Sequence, residues 1–240
     1  LLNQEEEHGC MMPKAILMDV DGTLYGKHAV QRAMLMQLGA EIIARPRAGY
    51  RLLRALRAYR TAQERLRRGP ECGPGSYQYK LAENNSGISE CQIRSAVRLW
   101  MQQVPLQFIR RSRFPGVKEF CEWAVAHNVV LGVVSDYDAH DKLRALELDP
   151  LISTVVCAQD SEVDRFKPDT KGLLYALQKL GAQPHEAIYI GDRFETDALA
   201  AIASGLECFL LARPVEQTPG VTRVGSWFEI RTILEHRLTT

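Results

Sequence analysis

The sequence predicts an α/β protein built on a doubly wound parallel sheet, and three observations lead to this expectation. Short apolar runs without polar alternation recur along the chain, as is typical of strands buried on both faces. Helical patterns separate the later runs, and strands that alternate with helices form parallel sheets with right-handed crossovers. One long block of helical pattern follows the first run, which predicts an all-helical subdomain inserted into the α/β core.

The first predicted strand covers Ala15–Met18 and ends at Asp19, where two acids stand one residue apart. Asp21 is followed by Gly22, which suits a tight strand exit, and then by Thr23. Two ionised carboxylates require an open strand end or a counter-charge. These residue types could supply a nucleophile, an acid–base group and a hydrogen bond to a phosphate. A helix-capping turn or a calcium-type loop is the alternative for the same residues.

Composition limits the class of protein. The 240 residues are 46% hydrophobic, which is enough for a sizeable core, and the net charge of +1 argues against a general polyanion binder. The six cysteines are scattered, so we expect reduced thiols and a cytoplasmic protein. No apolar run is long enough to cross a membrane. Residues 1–13 lack the pattern of a secretory signal and are expected to form a flexible polar tail.

The helical block is predicted to cover residues 26–113, between core segments 14–25 and 114–240. Apolar residues at helical spacing predict helices over 29–43, with a break or kink at Gly39, and over 49–68. Two more helices are predicted over 76–83 and 89–103. Ser89 and Gln92 have the spacing of a capping box for the last of these helices.

Beyond residue 114 the pattern alternates between helices and strands. Strands are predicted over 129–134, 152–158, 187–190 and 208–211, the last being the final core strand. Helices are predicted over 117–127, 139–148, 168–180, 196–203 and 227–238. Pro168 is expected to be the first residue of its helix, since proline suits that position.

Polar residues follow three of the apolar runs where each predicted strand ends. Asp19 and Asp21 follow the first, Ser135 the second, and Asp192 a later one. Lys167 precedes a predicted helix, and Asp197 lies about one helical turn after Asp192. Because the carboxyl ends of parallel strands share one edge of a sheet, we expect these residues to converge on one ligand site.

In this order the residues resemble the four signature motifs of the haloacid dehalogenase superfamily, on its phosphatase branch. The motifs are Asp19-Val20-Asp21-Gly22-Thr23-Leu24, Ser135 after its strand, Lys167 in Phe166-Lys167-Pro168-Asp169, and Gly191-Asp192-Arg193-Phe194-Glu195-Thr196-Asp197. The resemblance covers residues 14–211. It implies a Rossmann-like core with a helical cap that closes over the active site and selects the leaving group.

The resemblance also implies a reaction. Asp19 would attack phosphorus and form an aspartyl-phosphate, and Asp21 would protonate the leaving alkoxide and then activate water. We expect neighbouring acids to raise the pKa of Asp21 for this purpose. Mg²⁺ would be held by the Asp19 carboxylate, the Asp21 backbone carbonyl and Asp192, with Asp197 as a ligand or a supporting partner. The expected phosphate-binding residues are Thr23, Ser135 and Lys167.

The expected substrate is a small phosphorylated metabolite, because Asp21 is an acid that phosphomonoester cleavage requires. A phosphosugar mutase of the same superfamily is one alternative. A non-catalytic protein that binds through the arginines between Arg45 and Arg68 is another, although no aromatic stacking platform for nucleic acid accompanies them. One departure is Asp136, where the family commonly has Asn; we expect this acid to point away from the phosphate.

Overall fold

A computed structural model describes residues 12–68, 75–211 and 218–239, with a six-stranded parallel sheet at its centre. The strands are Ala15–Met18 (β1), Val130–Ser135 (β2), Thr154–Cys157 (β3), Ala187–Gly191 (β4), Glu207–Leu210 (β5) and Val221–Arg223 (β6). Their spatial order is β3-β2-β1-β4-β5-β6, so β1 lies between the two halves of the sheet. This arrangement confirms the predicted doubly wound α/β fold.

The strand predicted over 208–211 is present as β5, but it is not the final strand, because β6 follows β5 and pairs with it in parallel. Its three residues are only half-buried at the edge of the sheet, so they lack the continuous apolar run of the central strands.

Side chains of β1 alternate between two hydrophobic clusters. Ile16 and Met18 face one cluster, whereas Ala15 and Leu17 face the other. Helices cover both faces of the sheet, which explains why the central strands are apolar throughout. The core helices are Val117–Ala126 (α6), His140–Leu146 (α7), Lys171–Leu180 (α8), Leu199–Ala203 (α9) and Trp227–Thr239 (α10), with 3₁₀ turns at Asp149–Leu151 and Pro184–Glu186.

Between β1 and α6 the described residues form mostly helices, and their hydrophobic cluster, which includes Tyr59, Tyr79 and Ile93, extends to Ala158 and Phe166 of the core. We call residues 26–113 the helical insertion. Gly39 lies inside its first helix, which continues without the expected break. Its helices are Lys27–Ala44 (α1), Pro46–Arg68 (α2), Tyr77–Ser86 (α3), Glu90–Val97 (α4) and Leu106–Ile109 (α5), with a π-helical segment at Arg98–Gln103 and a 3₁₀ turn at Arg110–Ser112.

The helical insertion leaves and rejoins the core through two adjacent segments. The Gly26 backbone N–H donates to the Ser112 carbonyl at 2.8 Å, and the Phe114 N–H donates to the Leu24 carbonyl at 3.1 Å. Tyr25 and Arg113 form an antiparallel bridge at the same place. The chain therefore enters and leaves the helical insertion at one point of the core.

Two details of the predicted helix starts are wrong. Ser89 stands before α4 but its side chain makes no capping bond; the Glu90 N–H instead donates to the Glu83 carboxylate at 3.2 Å. Pro168 lies in a loop, and α8 begins at Lys171, whose N–H donates to the Asp169 carboxylate at 2.9 Å. In both places an acidic side chain accepts one of the first backbone N–H groups, and α8 begins later than the pattern suggests.

The remaining global expectations concern membranes and cysteines. Among the described helices none is both long and apolar enough to cross a membrane. Cys121, Cys157 and Cys208 are buried free thiols and Cys91 is an exposed one. The predicted flexible tail at residues 1–13 lies largely outside the described residues, as do Cys10 and Cys72.

Candidate active site

The carboxyl end of β1 opens into a cavity of about 430 Å³ between the sheet and the helical insertion. The backbone N–H of Asp19 donates to the Ile190 carbonyl of β4 at 2.9 Å, which fixes the first acid at this edge. Asp19, Asp21, Ser135, Lys167, Asp192 and Asp197 all line the cavity. The structure therefore brings together six of the seven predicted site residues; the seventh, Thr23, lies beneath them.

Lys167 joins two of the acids at the floor of the cavity. Its Nζ lies 2.6 Å from Asp19 Oδ1 and 2.6 Å from Asp197 Oδ1, and it also bonds the Tyr189 hydroxyl at 2.9 Å. Burial favours the neutral amine, but the two carboxylates outweigh it and hold the pKa of Lys167 well above its ordinary value. Lys167 is therefore a buried cation at the end of β1.

The carboxyl group of Asp19 lies in a strongly desolvated position. Burial raises its pKa to about 7, against the opposing effect of Lys167. The Thr23 hydroxyl donates to Asp19 Oδ2 at 3.3 Å, and the Thr23 side chain is fully buried below the cavity. A further positive charge next to Asp19 would favour its ionised form, which is the form that can act as a nucleophile.

Asp21 is held differently, and the expected rise of its pKa is wrong. Lys142 Nζ lies 2.7 Å from Asp21 Oδ1 and 2.6 Å from Oδ2, and the Tyr25 hydroxyl also donates to this carboxylate. Burial would raise the pKa of Asp21, but Lys142 and these hydrogen bonds lower it below the ordinary value. The neighbouring acids are visible in the first motif, whereas Lys142 is distant from it in the sequence.

A cluster of three carboxylates is suited to a metal ion. One oxygen from each of Asp19, Asp192 and Asp197 lies within 4.8 Å of the others. Asp192 Oδ2 pairs with Lys27 Nζ, whereas Asp192 Oδ1 is buried and has no hydrogen-bond partner among the described residues. An unsatisfied buried carboxylate oxygen is costly, and a hard divalent cation would satisfy it.

Gly22 makes room for this cluster. Its φ is +108°, which disfavours other residues, and a Cβ here would lie 2.7 Å from Asp192 Cγ and 2.9 Å from Lys27 Nζ. The glycine of the first motif is therefore required by both its backbone conformation and the close approach of Asp192.

Asp197 is already saturated by the protein. Its Oδ1 accepts hydrogen bonds from Lys167 and from the Tyr189 hydroxyl, the latter at 3.0 Å. Its Oδ2 accepts from the backbone N–H groups of Asp192 at 3.3 Å and Arg193 at 3.0 Å. A carboxylate has about four lone-pair positions, so this acid serves chiefly to fix Lys167 and the loop that carries Asp192.

The residues after β2 complete the cavity wall. Ser135 is buried and its hydroxyl oxygen accepts the Tyr137 backbone N–H at 3.3 Å. Asp136 pairs with Arg67 of α2, with 2.8 Å between Oδ2 and the guanidinium. The acid that departs from the family pattern is therefore neutralised by an arginine of the helical insertion.

Five further residues belong to this site and were missed at the sequence level: Tyr25, Lys27, Arg67, Lys142 and Tyr189. Tyr25 and Lys27 directly follow the first motif, which was the one available signal for them. Lys142 and Tyr189 look like ordinary helix and strand residues, and Arg67 is one of nine arginines in a single stretch. No sequence spacing distinguishes Arg67, Lys142 and Tyr189 from neighbouring residues outside the site.

Comparison with known proteins identifies the family. The model of the haloacid dehalogenase-like hydrolase family matches residues 13–205. The chain belongs to this family. The resemblance found in the four motifs is thereby confirmed, and the chain is a hydrolytic enzyme.

Relatives and solved structures agree with this membership. Phosphoglycolate phosphatase 1 of Pseudomonas aeruginosa is 25% identical over 207 residues, covering 83% of this chain and 70% of that protein. A HAD phosphatase from Thermococcus onnurineus superposes with a TM-score of 0.65 at 20% identity, covering 92% of this chain and 97% of that one. A 2-haloacid dehalogenase from Pseudomonas syringae gives 0.66 at 19% identity, covering 93% and 99%. The fold alone therefore does not choose between phosphate and halide chemistry.

Proposed function

We propose that this enzyme is a magnesium-dependent phosphatase that hydrolyses the phosphomonoester of a small metabolite through an aspartyl-phosphate on Asp19. The observation that carries the proposal is the convergence of Asp19, Lys167, Asp192 and Asp197 at one end of the sheet. A binding module would have no need for a desolvated carboxylate, a buried lysine and a carboxylate cluster in contact with one another.

The carboxylate cluster fits Mg²⁺. Asp19 and Asp192 would hold the ion with side-chain oxygens, and the family resemblance adds the Asp21 backbone carbonyl. When bound, the ion offsets the mutual repulsion of these acids and the substrate phosphate. Asp197 supports the arrangement from behind, since its own oxygens already accept hydrogen bonds from the protein.

Each side chain of the site is proposed to have a separate role in the reaction. Asp19 attacks phosphorus in line and becomes the aspartyl-phosphate, while the Lys167 ammonium and the Ser135 hydroxyl hold the non-bridging oxygens. Asp21 gives a proton to the leaving alkoxide and later takes one from the attacking water. Because Lys142 lowers the pKa of Asp21, the carboxylate is best suited to the second of these steps. Esters whose leaving group has a low pKa should therefore react fastest.

The helical insertion is proposed to be the cap that selects the leaving group. It closes one side of the cavity with residues of α1, α2 and the π-helical segment, among them Met34, Arg60 and Trp100. Arg60 is exposed at this wall, and an arginine suits an anionic group on the substrate. The relatives named phosphoglycolate phosphatases make phosphoglycolate the first ester to assay.

A substrate panel tests the proposal. The purified protein is assayed for phosphate release from p-nitrophenyl phosphate, phosphoglycolate and sugar phosphates, with Mg²⁺ and with excess EDTA. We expect turnover that EDTA abolishes and that Asp19→Asn reduces by at least roughly 10³-fold. Asp149→Asn, an exposed acid away from the cavity, is the matched control and should retain wild-type activity.

Two results would count against this proposal. A folded wild-type protein that hydrolyses no ester of the panel with Mg²⁺ would refute the phosphatase. Transfer of phosphate between sugar positions faster than its release to water would replace hydrolysis with mutase activity.

A further inference from the structure

Asp136 and Arg67 form an ion pair that the catalytic scheme leaves unexplained. Arg67 lies in the last turn of α2 in the helical insertion, whereas Asp136 directly follows strand β2 in the core. The guanidinium lies 2.8 Å from Asp136 Oδ2, and the side chains are only 9% and 12% exposed. Two charges so well removed from water are expensive to bury, so a structural benefit should accompany them.

Both members of the pair also hold the backbone of Lys167. Arg67 donates a second hydrogen bond to the Lys167 carbonyl oxygen at 2.9 Å. Asp136 Oδ1 accepts the Lys167 backbone N–H at 3.3 Å. The guanidinium also lies 5.0 Å from the ring centre of Phe166, the residue before Lys167. Both the carbonyl and the N–H of Lys167 are therefore hydrogen-bonded to the ion pair.

A planar guanidinium is suited to this double contact. One nitrogen reaches the carboxylate and another reaches a carbonyl, a fork that the single ammonium of lysine does not reproduce. Arg67 also neutralises an acid that lines the same cavity as Asp19. Without the arginine, Asp136 would be an unpaired negative charge next to an incoming dianion.

A second helix of the insertion reaches the same loop. Gln78 of α3 donates to the Gln159 side chain at 2.9 Å, and Gln159 donates to the Asp136 carbonyl at 3.1 Å. The Asp136 loop is thus connected to two helices of the insertion, through one ion pair and one chain of neutral hydrogen bonds.

We propose that Arg67 is a positioning residue for phosphate binding: it neutralises Asp136 and, together with that acid, fixes the main chain of Lys167. The proposal rests on the proposed phosphatase function. It makes an arginine of the helical insertion a requirement for phosphate affinity in the core, although this arginine need not touch the phosphate itself.

Kinetics of four variants test the proposal: Arg67→Met, Asp136→Asn, the double variant and Arg67→Lys. The measurements are kcat and KM for p-nitrophenyl phosphate and the inhibition constant of inorganic phosphate, well below the melting temperature. We expect Arg67→Met to weaken phosphate inhibition by about tenfold or more and to lower kcat by roughly 10- to 100-fold. Arg67→Lys should recover part of the phosphate affinity, because its charge still neutralises the acid.

The double variant supplies the decisive comparison. Asp136→Asn alone should change kcat, KM and the inhibition constant of phosphate only a few-fold, since an amide oxygen can still accept the Lys167 N–H. Added to Arg67→Met, it removes the unpaired charge, so phosphate should bind the double variant at least about threefold more tightly than Arg67→Met. Arg94→Met, which breaks an ion pair confined to α4, is the control and should match the wild type.

Two kinetic outcomes would overturn the proposal. One is wild-type kcat and phosphate inhibition in Arg67→Met, even with a lowered melting temperature. The other is a double variant in which the two effects simply multiply. Hydrogen exchange tests this proposal independently of the proposed function. The backbone amides of residues 165–169 should exchange faster in Arg67→Met than in the wild type, even if the wild type hydrolyses no ester. Unchanged amide exchange would exclude the positioning role.

Discussion

Replacing Lys27 with methionine should strengthen magnesium binding while weakening the metal-free protein. Lys27 begins α1 and its ammonium pairs with Asp192, one of the carboxylates proposed to hold the ion. In the metal-free protein this pair neutralises a largely buried acid. A divalent cation that approaches Asp192 meets the positive charge of Lys27 at the same carboxylate, so the lysine opposes the ion.

The magnitude follows from burial and charge. The two side chains are 25% and 11% exposed, so the effective dielectric lies between that of water and that of a protein surface. Unit charges 4 Å apart interact by about 1 to 4 kcal/mol over this range. We therefore expect the variant to gain about 2 kcal/mol in magnesium affinity, or roughly 30-fold. Its metal-free form should lose about 1 kcal/mol of stability, which lowers the Tm by roughly 3 °C.

Isothermal titration with Mg²⁺ and thermal denaturation with and without the ion measure both effects. Lys80→Met, an exposed lysine of α3, is the matched control and should leave the affinity and the Tm unchanged. Equal or weaker magnesium binding by Lys27→Met would refute the reasoning, since it would mean that the lysine orients Asp192 for the ion.

Three further substitutions test separate parts of the site. Lys142→Met removes the group that lowers the pKa of Asp21, so burial should raise this pKa above its ordinary value. The variant should be about 2 kcal/mol less stable than the wild type at pH 7, and this difference should shrink as the pH falls towards 4 and Asp21 becomes protonated. Thermal denaturation at both pH values measures the difference. Tyr189→Phe deletes a buried hydroxyl shared by a lysine and an acid, and chemical denaturation should reveal a loss of about 1 kcal/mol. Gly22→Ala should weaken magnesium binding at least about tenfold by crowding Asp192, and a wild-type isotherm would contradict this.

The fold was predictable because its central strands are apolar on both faces and end in polar residues. The edge strand of the sheet and the first residues of two helices were not predictable. The strand β6 is short and half-buried, so it carries no apolar run. The starts of α4 and α8 depend on Glu83 and Asp169, whose carboxylates accept backbone N–H groups in ways that helix periodicity does not encode.

The acids of the site were predictable from their positions at strand ends, but their counter-charges were not. Lys27, Lys142 and Arg67 reach the cavity from three different helices, and only the packed structure shows which cationic side chains point inwards. This omission explains the wrong expectation for the pKa of Asp21. Its acidic neighbours are visible in the motif, whereas Lys142, which outweighs the effect of burial and lowers the pKa, lies 121 residues away.

The narrow junction at Tyr25 and Arg113 has a consequence for how such enzymes diversify. Because both crossings lie side by side and are hydrogen-bonded to each other, the intervening helices can be exchanged as a single cassette without moving the ends of the sheet. A graft would have to match the spacing of these two peptide segments and replace the contacts of the insertion with the core, such as Arg67 with Asp136 and Gln78 with Gln159. If the helical insertion selects the leaving group as proposed, its exchange would also transfer substrate preference between relatives.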